Sequence, residues 1–270
     1  MAIGINGTPG TPTTFNGTQD HTHAYTISGG ARRKAVLFAQ YKTTTQSLSA
    51  PLFDGNAMTT ILAPTPLATD GGMITLMARY DISDALGDGA YNFGIHTSAA
   101  TITGALYGWV LSDATAGAPT DSDSNDAVDP DAVASVTLTN AAGAFILAAL
   151  ANTANGQTHI WTSPTERHDT GTGSSRLTSA DGASALGNEV VTCTASATTN
   201  SRQLIAAAFI EDLGGGGSGA FGQLAGRGGL AGYGGLAGFG GGLAGFVKLG
   251  NIYRPKRWLW LPRGLVPQGA

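Results

Sequence analysis

The acidic segment at residues 121–131 contains the residue types of a calcium site. Its sequence, DSDSNDAVDPD, places five aspartates in eleven residues and begins D-x-D-x-N, as calcium-binding loops do. However, Asp126 stands where an EF-hand requires glycine, and Ala132 stands where it requires the closing glutamate. The spacing therefore excludes an EF-hand. An ordinary acidic loop is the favoured interpretation, and an irregular calcium site on Asp121, Asp123 and Asp126 is the alternative.

The histidines are the next candidates for chemistry. His21-Thr22-His23 places two rings on one face of a strand, because side chains alternate along extended chain. No third ligand is identifiable, which favours exposed imidazoles over half of a metal site. The segment 166–169 (ERHD) offers acid, base and cation in sequence. Adjacent side chains point to opposite faces of an extended chain, so a solvated loop is the favoured interpretation.

Motifs of the common enzyme classes are absent from the sequence. There is no G-x-S-x-G elbow and no Walker A motif, and no dinucleotide fingerprint follows a strand and opens a helix. The single cysteine, Cys193, excludes a disulfide within the chain and a cysteine zinc site, and is expected to be a small buried strand residue. We expect no enzymatic activity and no cofactor.

Short apolar runs separated by turn residues indicate the fold class. Hydrophobic residues make up 42% of the chain and charged residues only 12%. Residues 144–151 (AFILAALA) contain good helix formers, but the run is too short and too closely bounded by Gly143 and Asn152 to require a helix. The sequence predicts an all-β, antiparallel β-sandwich or jelly-roll-like body over residues 1–212. Seven strands are predicted, at residues 34–41, 73–82, 105–111, 136–139, 144–150, 189–195 and 204–210.

The composition changes abruptly after Asp212. Residues 213–250 form a glycine-rich arm, in which a six-residue repeat (LAGRGG, LAGYGG, LAGFGG) places Leu and an aromatic residue or Arg at fixed offsets. Eight basic and 18 acidic residues give the body a net charge of −10, whereas the six basic residues after position 212 give the rest +6. Because glycine has a high entropic cost of ordering, we expect the arm to order only against other chains. An acidic body and a basic arm suggest different partners.

Residues 251–270 (NIYRPKRWLWLPRGLVPQGA) predict a basic, aromatic docking peptide. Tyr, Trp and Arg are the residue types that most often anchor protein interfaces. The candidate partner-docking residues of the arm and this peptide are Leu230, Tyr233, Leu236, Phe239, Leu243, Phe246, Tyr253, Arg254, Lys256, Arg257, Trp258 and Trp260.

The body resembles the β-sandwich accessory proteins of tailed-phage virions and related modular surface proteins. An early strand at residues 35–41 leads into residues 53–59 (FDGNAMT), which are similar to a Y-G-G-x-x-M-T hairpin that recurs in such modules. The strands at 73–82 and 136–139 and the segment 201–206 (SRQLIA) continue that layout, so the resemblance covers roughly residues 20–212. It implies a structural or adsorption role in a virion, as a head decoration or a tail or fibre accessory, without a cofactor.

The expected function is therefore that of a non-enzymatic virion structural protein that contacts other virion proteins and further copies of itself. No secretory signal is recognisable at the N-terminus, which fits synthesis in the host cytoplasm. The first alternative is a host-glycan-binding adhesin module, in which Tyr91, Tyr107, Trp109 or Trp161 would stack on sugars. The second is a membrane-active arm, since residues 228–247 carry no charge, although half of them are glycine. Insertion into a membrane and binding to nucleic acid are not expected.

Overall fold

The computed structural model describes residues 3–8, 10–43, 45–68, 71–127, 132–139, 141–172, 174–185, 187–197 and 201–212. All regular secondary structure within these ranges is β-strand, and every paired strand runs antiparallel to its neighbour. The predicted all-β antiparallel sandwich fold is confirmed. The structure adds that the body contains two sandwiches.

The first sandwich comprises the strands of the N-terminal half, which form two sheets. Sheet I has the order β1-β10-β4-β8-β7, with β2 also paired to β10, and sheet II has the order β3-β9-β5-β6. The strands are β1 (Gly4–Ile5), β2 (Thr13–Thr14), β3 (Asp20–Ile27), β4 (Arg33–Tyr41), β5 (Leu48–Phe53), β6 (Asn56–Ala57), β7 (Thr59–Leu62), β8 (Ile74–Ile82), β9 (Gly89–Thr97) and β10 (Gly104–Ser112).

The second sandwich comprises the remaining strands, again in two sheets. Sheet III has the order β11-β18-β13-β16-β15, and sheet IV has the order β12-β17-β14. The strands are β11 (Asp121–Ala127), β12 (Val133–Leu138), β13 (Ala144–Asn152), β14 (His159–Ser163), β15 (Thr165–Thr172), β16 (Ser175–Ala183), β17 (Glu189–Ala195) and β18 (Arg202–Ile210).

Both sandwiches wrap in the same way. In the second, the first strand pairs with the last (β11 with β18), the second with the second-last (β12 with β17) and the third with the third-last (β13 with β16). In the first, β1 and β2 pair with β10, β3 with β9 and β4 with β8. This nested pairing is that of a jelly roll. The body therefore consists of two jelly-roll sandwiches with matching topology.

Sheets I and III pack face to face and form the centre of the body. Val36 and Trp109 of sheet I share one hydrophobic cluster with Leu147 and Phe209 of sheet III, while two further clusters fill the spaces between sheets I and II and between sheets III and IV. Strands β4, β10, β13 and β18 are therefore buried on both faces, which explains their continuous apolar sequences. The outer strands β3 and β12 instead alternate between buried and solvent-facing residues.

Buried polar side chains link the two sandwiches. The Gln40 amide of sheet I donates to the hydroxyls of Thr172 (3.0 Å) and Ser175 (3.2 Å) of sheet III. The Gln203 amide of β18 donates to the carbonyl oxygen of Thr65 at 3.0 Å, and its carbonyl accepts from the Thr75 hydroxyl. Because hydrogen bonds are directional, these contacts fix the register between two otherwise apolar surfaces.

Each of the seven predicted strands corresponds to an observed strand. The ambiguous run at residues 144–151 is strand β13, and its central position between sheets explains why apolar residues occupy both faces. The segment 53–57 forms the hairpin of β5 and β6, where Asp54 and Gly55 both have positive φ (48° and 79°), as a two-residue Asp-Gly turn requires.

Gly108 is a position where we expect even a methyl group to disrupt packing between sheets I and II. A Cβ atom at this residue of β10 would lie 2.3 Å from Cε2 of the fully buried Phe93. Gly108→Ala is expected to lower the free energy of unfolding by about 1–3 kcal/mol, as overpacking does. Gly87→Ala is the matched control, because no atom lies within 4 Å of a Cβ there. Equal stability of both variants in urea unfolding would contradict the close approach of Phe93.

Candidate functional site

The three aspartates named as the alternative calcium site do not converge. Strand β11 contains all three, so the prediction of an acidic loop is wrong for residues 121–127. Asp121 accepts hydrogen bonds from the amide (2.6 Å) and hydroxyl (2.9 Å) of Thr139, whereas Asp126 accepts from the Gln203 amide (2.9 Å). Asp126 is an odd number of residues from Asp121 and Asp123, which places it on the opposite face of the strand. Asp129 and Asp131 lie outside the described residues.

Within the described ranges, no group of three or more His, Cys, Asp or Glu side chains is arranged to hold a metal ion.

His21 and His23 lie on one face of β3, as their spacing predicts, but the expectation that they are exposed is wrong. Both side chains point into the first sandwich and are buried. His21 stacks on Phe15 with ring centroids 3.8 Å apart, and its Nε2 lies 3.3 Å from the Thr97 hydroxyl. These contacts explain His21 as a core residue.

His23 belongs to a buried polar cluster at the boundary of the two sandwiches. Its ring centroid is 5.7 Å from that of Tyr107, and the ring centroid of Tyr107 is 4.9 Å from that of His168 of β15. Among the described residues, His23 Nε2, the Tyr107 hydroxyl and His168 Nε2 have no hydrogen-bond partner. Burial, and to a smaller extent the nearby His168, lowers the pKa of His23 to about 4. The cluster is therefore built from neutral rings.

The segment 166–169 forms part of strand β15, so the prediction of a solvated loop is wrong. Arg167 donates two hydrogen bonds to the buried carboxylate of Asp181, one of them from Nε at 2.7 Å. Asp169 contacts Nδ1 of His159 at 3.2 Å and Nε of Arg176 at 2.5 Å. Burial tends to raise the pKa of Asp169, but the hydrogen bonds from these two groups outweigh it and hold the pKa below its ordinary value.

The contact between Asp169 and His159 continues into a buried polar network in the second sandwich. His159 Nε2 lies 3.0 Å from the Asn152 amide nitrogen, which donates to Gln157 at 3.1 Å. The buried Arg202 guanidinium also donates to Gln157, at 3.0 Å. Cys193 is a buried residue of β17, as predicted, and burial raises the pKa of its thiol. The polar side chains of this network pair with one another in the interior, where they stabilise the fold.

Three of the four aromatic residues considered for sugar stacking are buried. Tyr107 and Trp109 lie between sheets I and III, and the Trp161 indole donates to the Thr178 hydroxyl at 2.8 Å inside the second sandwich. Tyr91 is half-buried and donates to the Gly87 carbonyl at 2.9 Å. Of these four residues, only Tyr91 therefore has an aromatic ring that is accessible enough to stack on a sugar.

The predicted docking residues, Leu230 to Trp260, and the uncharged segment 228–247 lie outside the described residues. In the part of the chain that is described, no helix has the length and apolar character needed to cross a membrane.

The described chain ends at a cluster of charged residues beside a cleft of about 190 Å³. Asp212 donates its amide to the Asp113 carbonyl at 2.7 Å, and its carboxylate lies 3.9 Å from the Arg32 guanidinium. Arg32 also forms an ion pair with Asp113 at 2.8 Å. Both Arg32 and Asp113 have positive φ (50° and 56°), which is uncommon for residues other than glycine. The end of the body is therefore fixed by several contacts, directly before the composition changes.

The solvent-facing side of sheet IV is the clearest candidate interaction surface. Three of the four large hydrophobic residues that are exposed in the described part of the chain lie on it: Ile160 (69% exposed), Val190 (52%) and Val133 (47%). We call this surface the sheet IV face, and its members are Val133, Ser135, Thr137, Ile160, Thr162, Val190, Thr192 and Thr194. None of these side chains is charged. The sequence did not reveal this surface, because its residues come from three separate strands.

Comparison with known proteins gives no relative: no family model, no curated protein and no solved structure matches the chain.

Proposed function

We propose that this protein is a non-enzymatic structural component of a virus particle, made in the host cytoplasm. The double sandwich is displayed on the particle, and residues 213–270 anchor it by docking into neighbouring subunits. The observation that carries this proposal is the change of composition at Asp212, where a body of net charge −10 meets a segment of net charge +6 that is rich in glycine and contains two of the chain's four tryptophans.

The charge difference favours contact between copies. The positive segment of one copy is attracted to the acidic body of another, and this attraction steers and orients association. Arg, Tyr and Trp side chains then supply the anchoring contacts. The contacts of Asp212 with Arg32 and Asp113 support the same proposal, because they hold the residue from which the arm begins in a defined position on the body.

The structure of the body suits display on a particle. Four stacked sheets bury three hydrophobic clusters, and buried polar contacts such as that of Gln40 with Thr172 link the two sandwiches. The resemblance of residues 20–212 to virion accessory proteins supports a virus particle as the assembly.

Truncation after Asp212 tests the proposal. We expect a folded body with the circular dichroism spectrum of a β protein that is no longer incorporated into particles. A second truncation, after Gly250, removes only the basic docking peptide and measures its separate contribution. Normal incorporation of the protein that ends at Asp212 would refute the role of the arm as an anchor.

Host-glycan binding is the alternative proposal, and half-buried Tyr91 is the aromatic residue of the four that favours it. A glycan array probed with the full chain and with a Tyr91→Ala variant tests it. Signals that do not depend on Tyr91 would remove its structural basis.

A further inference from the structure

The sheet IV face carries an inference about what the arm contacts. The pairing register aligns Val133 of β12 with Thr194 of β17, and Thr194 with Ile160 of β14. Directly paired residues on one face of a sheet lie about 5 Å apart, so these three side chains form a continuous row across the sheet. Val190 pairs with Thr137 and extends the same surface along the strands. An uncharged surface with three exposed aliphatic side chains is typical of a binding site.

Side-chain contacts at the edges of sheet IV favour binding on its face. At the β12 edge, the Asn125 amide donates to the Ser135 carbonyl oxygen at 2.7 Å. At the β14 edge, the His159 amide donates to the Asp169 carboxylate at 3.3 Å. One backbone group at each of these edges is thus already hydrogen-bonded, which disfavours the addition of a further strand there. These contacts favour a partner that lies across the Val133–Thr194–Ile160 row.

The chemistry of the face selects its partner. Burying a charged group against uncharged side chains is costly, so the segment that covers this surface must itself be uncharged. Residues 228–247 are uncharged over twenty positions and present Leu and an aromatic residue in each repeat, at Leu230 and Tyr233 and again at Leu236 and Phe239. Their glycines allow close approach to a flat sheet. The basic residues that follow remain available for the acidic parts of the body.

We propose that the sheet IV face binds the uncharged repeat, residues 228–247, of a second copy of this chain. The inference rests on the proposed function, in which the arm docks into neighbouring subunits, and it specifies the surface that receives it. A contact between the arm of one copy and the body of the next is heterologous, so it passes from copy to copy and builds rings or larger assemblies.

Charge introduced at Ile160 tests this inference in the full-length chain. We expect Ile160→Asp to weaken self-association by about tenfold or more, measured as molar mass against concentration by sedimentation, because the carboxylate would be buried under the repeat. Ile102→Asp is the matched control: Ile102 is 62% exposed but lies outside the sheet IV face, and we expect a change of less than about twofold. Circular dichroism establishes that both variants are folded.

Deletion of residues 228–247 completes the experiment. The deletion is expected to weaken association as Ile160→Asp does, and combining the two changes should add little, because both remove the same contact. If the deletion weakens association and Ile160→Asp does not, the inference is wrong while the proposed function stands. If neither change weakens it, the inference is wrong, and the truncation after Asp212 decides whether the rest of the arm still anchors the protein. A wild-type chain that stays monomeric, with the repeat protected from proteolysis, would show binding within one copy and overturn the inference.

Discussion

Replacing Trp109 with alanine is expected to lower the free energy of unfolding by about 3–5 kcal/mol, the usual range for truncating a buried tryptophan. Trp109 is fully buried in the cluster that joins sheets I and III, and its ring meets Tyr107 edge to face with centroids 4.7 Å apart. Movement of either sheet into the resulting cavity is opposed, because sheet I is also packed against sheet II and sheet III against sheet IV. Urea unfolding of the full-length protein measures the effect.

Trp109→Phe provides the control for the size of the cavity. It retains an aromatic ring and removes the indole N–H, which has no hydrogen-bond partner among the described residues. We expect phenylalanine to cost less than half of what alanine costs, since removal of an unpaired buried donor offsets part of the lost packing. A stability of Trp109→Ala within about 1 kcal/mol of wild type would mean that the two sandwiches are not packed together at this residue.

Five of the seven strands predicted from sequence belong to the two central sheets, and the other two, β12 and β17, belong to sheet IV. Residues 34–41 and 204–210 are almost continuously apolar, because their strands β4 and β18 have a neighbouring sheet on each side. Strand β3 was missed because its outward positions are mostly polar and two of its buried positions are histidines, although its alternation of buried and exposed residues is regular. Hydrophobicity alone thus identifies the middle of a layered β protein better than its surface.

Strand β11 shows why local composition misled the prediction at residues 121–127. Aspartate, asparagine and serine are rare in strands and common in loops. Here the segment pairs along its whole length with the buried β18, from Asp121 opposite Ala208 to Ala127 opposite Arg202. The pairing partner decides the conformation, and that partner lies about eighty residues later in the sequence, beyond the reach of a local pattern.

The candidate surface was unpredictable for a related reason. Ile160, Val190 and Val133 are each unremarkable in sequence, since single exposed aliphatic residues are common. They become one surface only through the registers of β12 with β17 and of β17 with β14. The arm, in contrast, is evident from its composition alone, which is why the sequence suggested one partner of the contact and the structure the other.

Acidification is expected to destabilise the body through His23, and His23→Phe is expected to remove most of this effect. The folded protein holds the pKa of His23 at about 4, mainly by burial, whereas the unfolded chain has the ordinary value near 6.5. Between these values the unfolded chain takes up a proton that the folded protein does not, so stability falls as the pH is lowered. The contribution is complete above about pH 6.5, and about 3 kcal/mol is lost by pH 4.

The measurement is the difference between the free energies of unfolding at pH 7 and pH 4. His23→Phe keeps a ring of similar shape beside Tyr107 and Phe93 but cannot be protonated, so this difference should shrink by about 3 kcal/mol. Burial and Arg167 also lower the pKa of His168, which keeps a smaller loss of the same sign in the variant. Thr22→Val, an exposed neighbour on β3, should leave the wild-type difference intact. An unchanged difference in His23→Phe would mean that His23 takes up a proton as readily in the folded protein as in the unfolded chain.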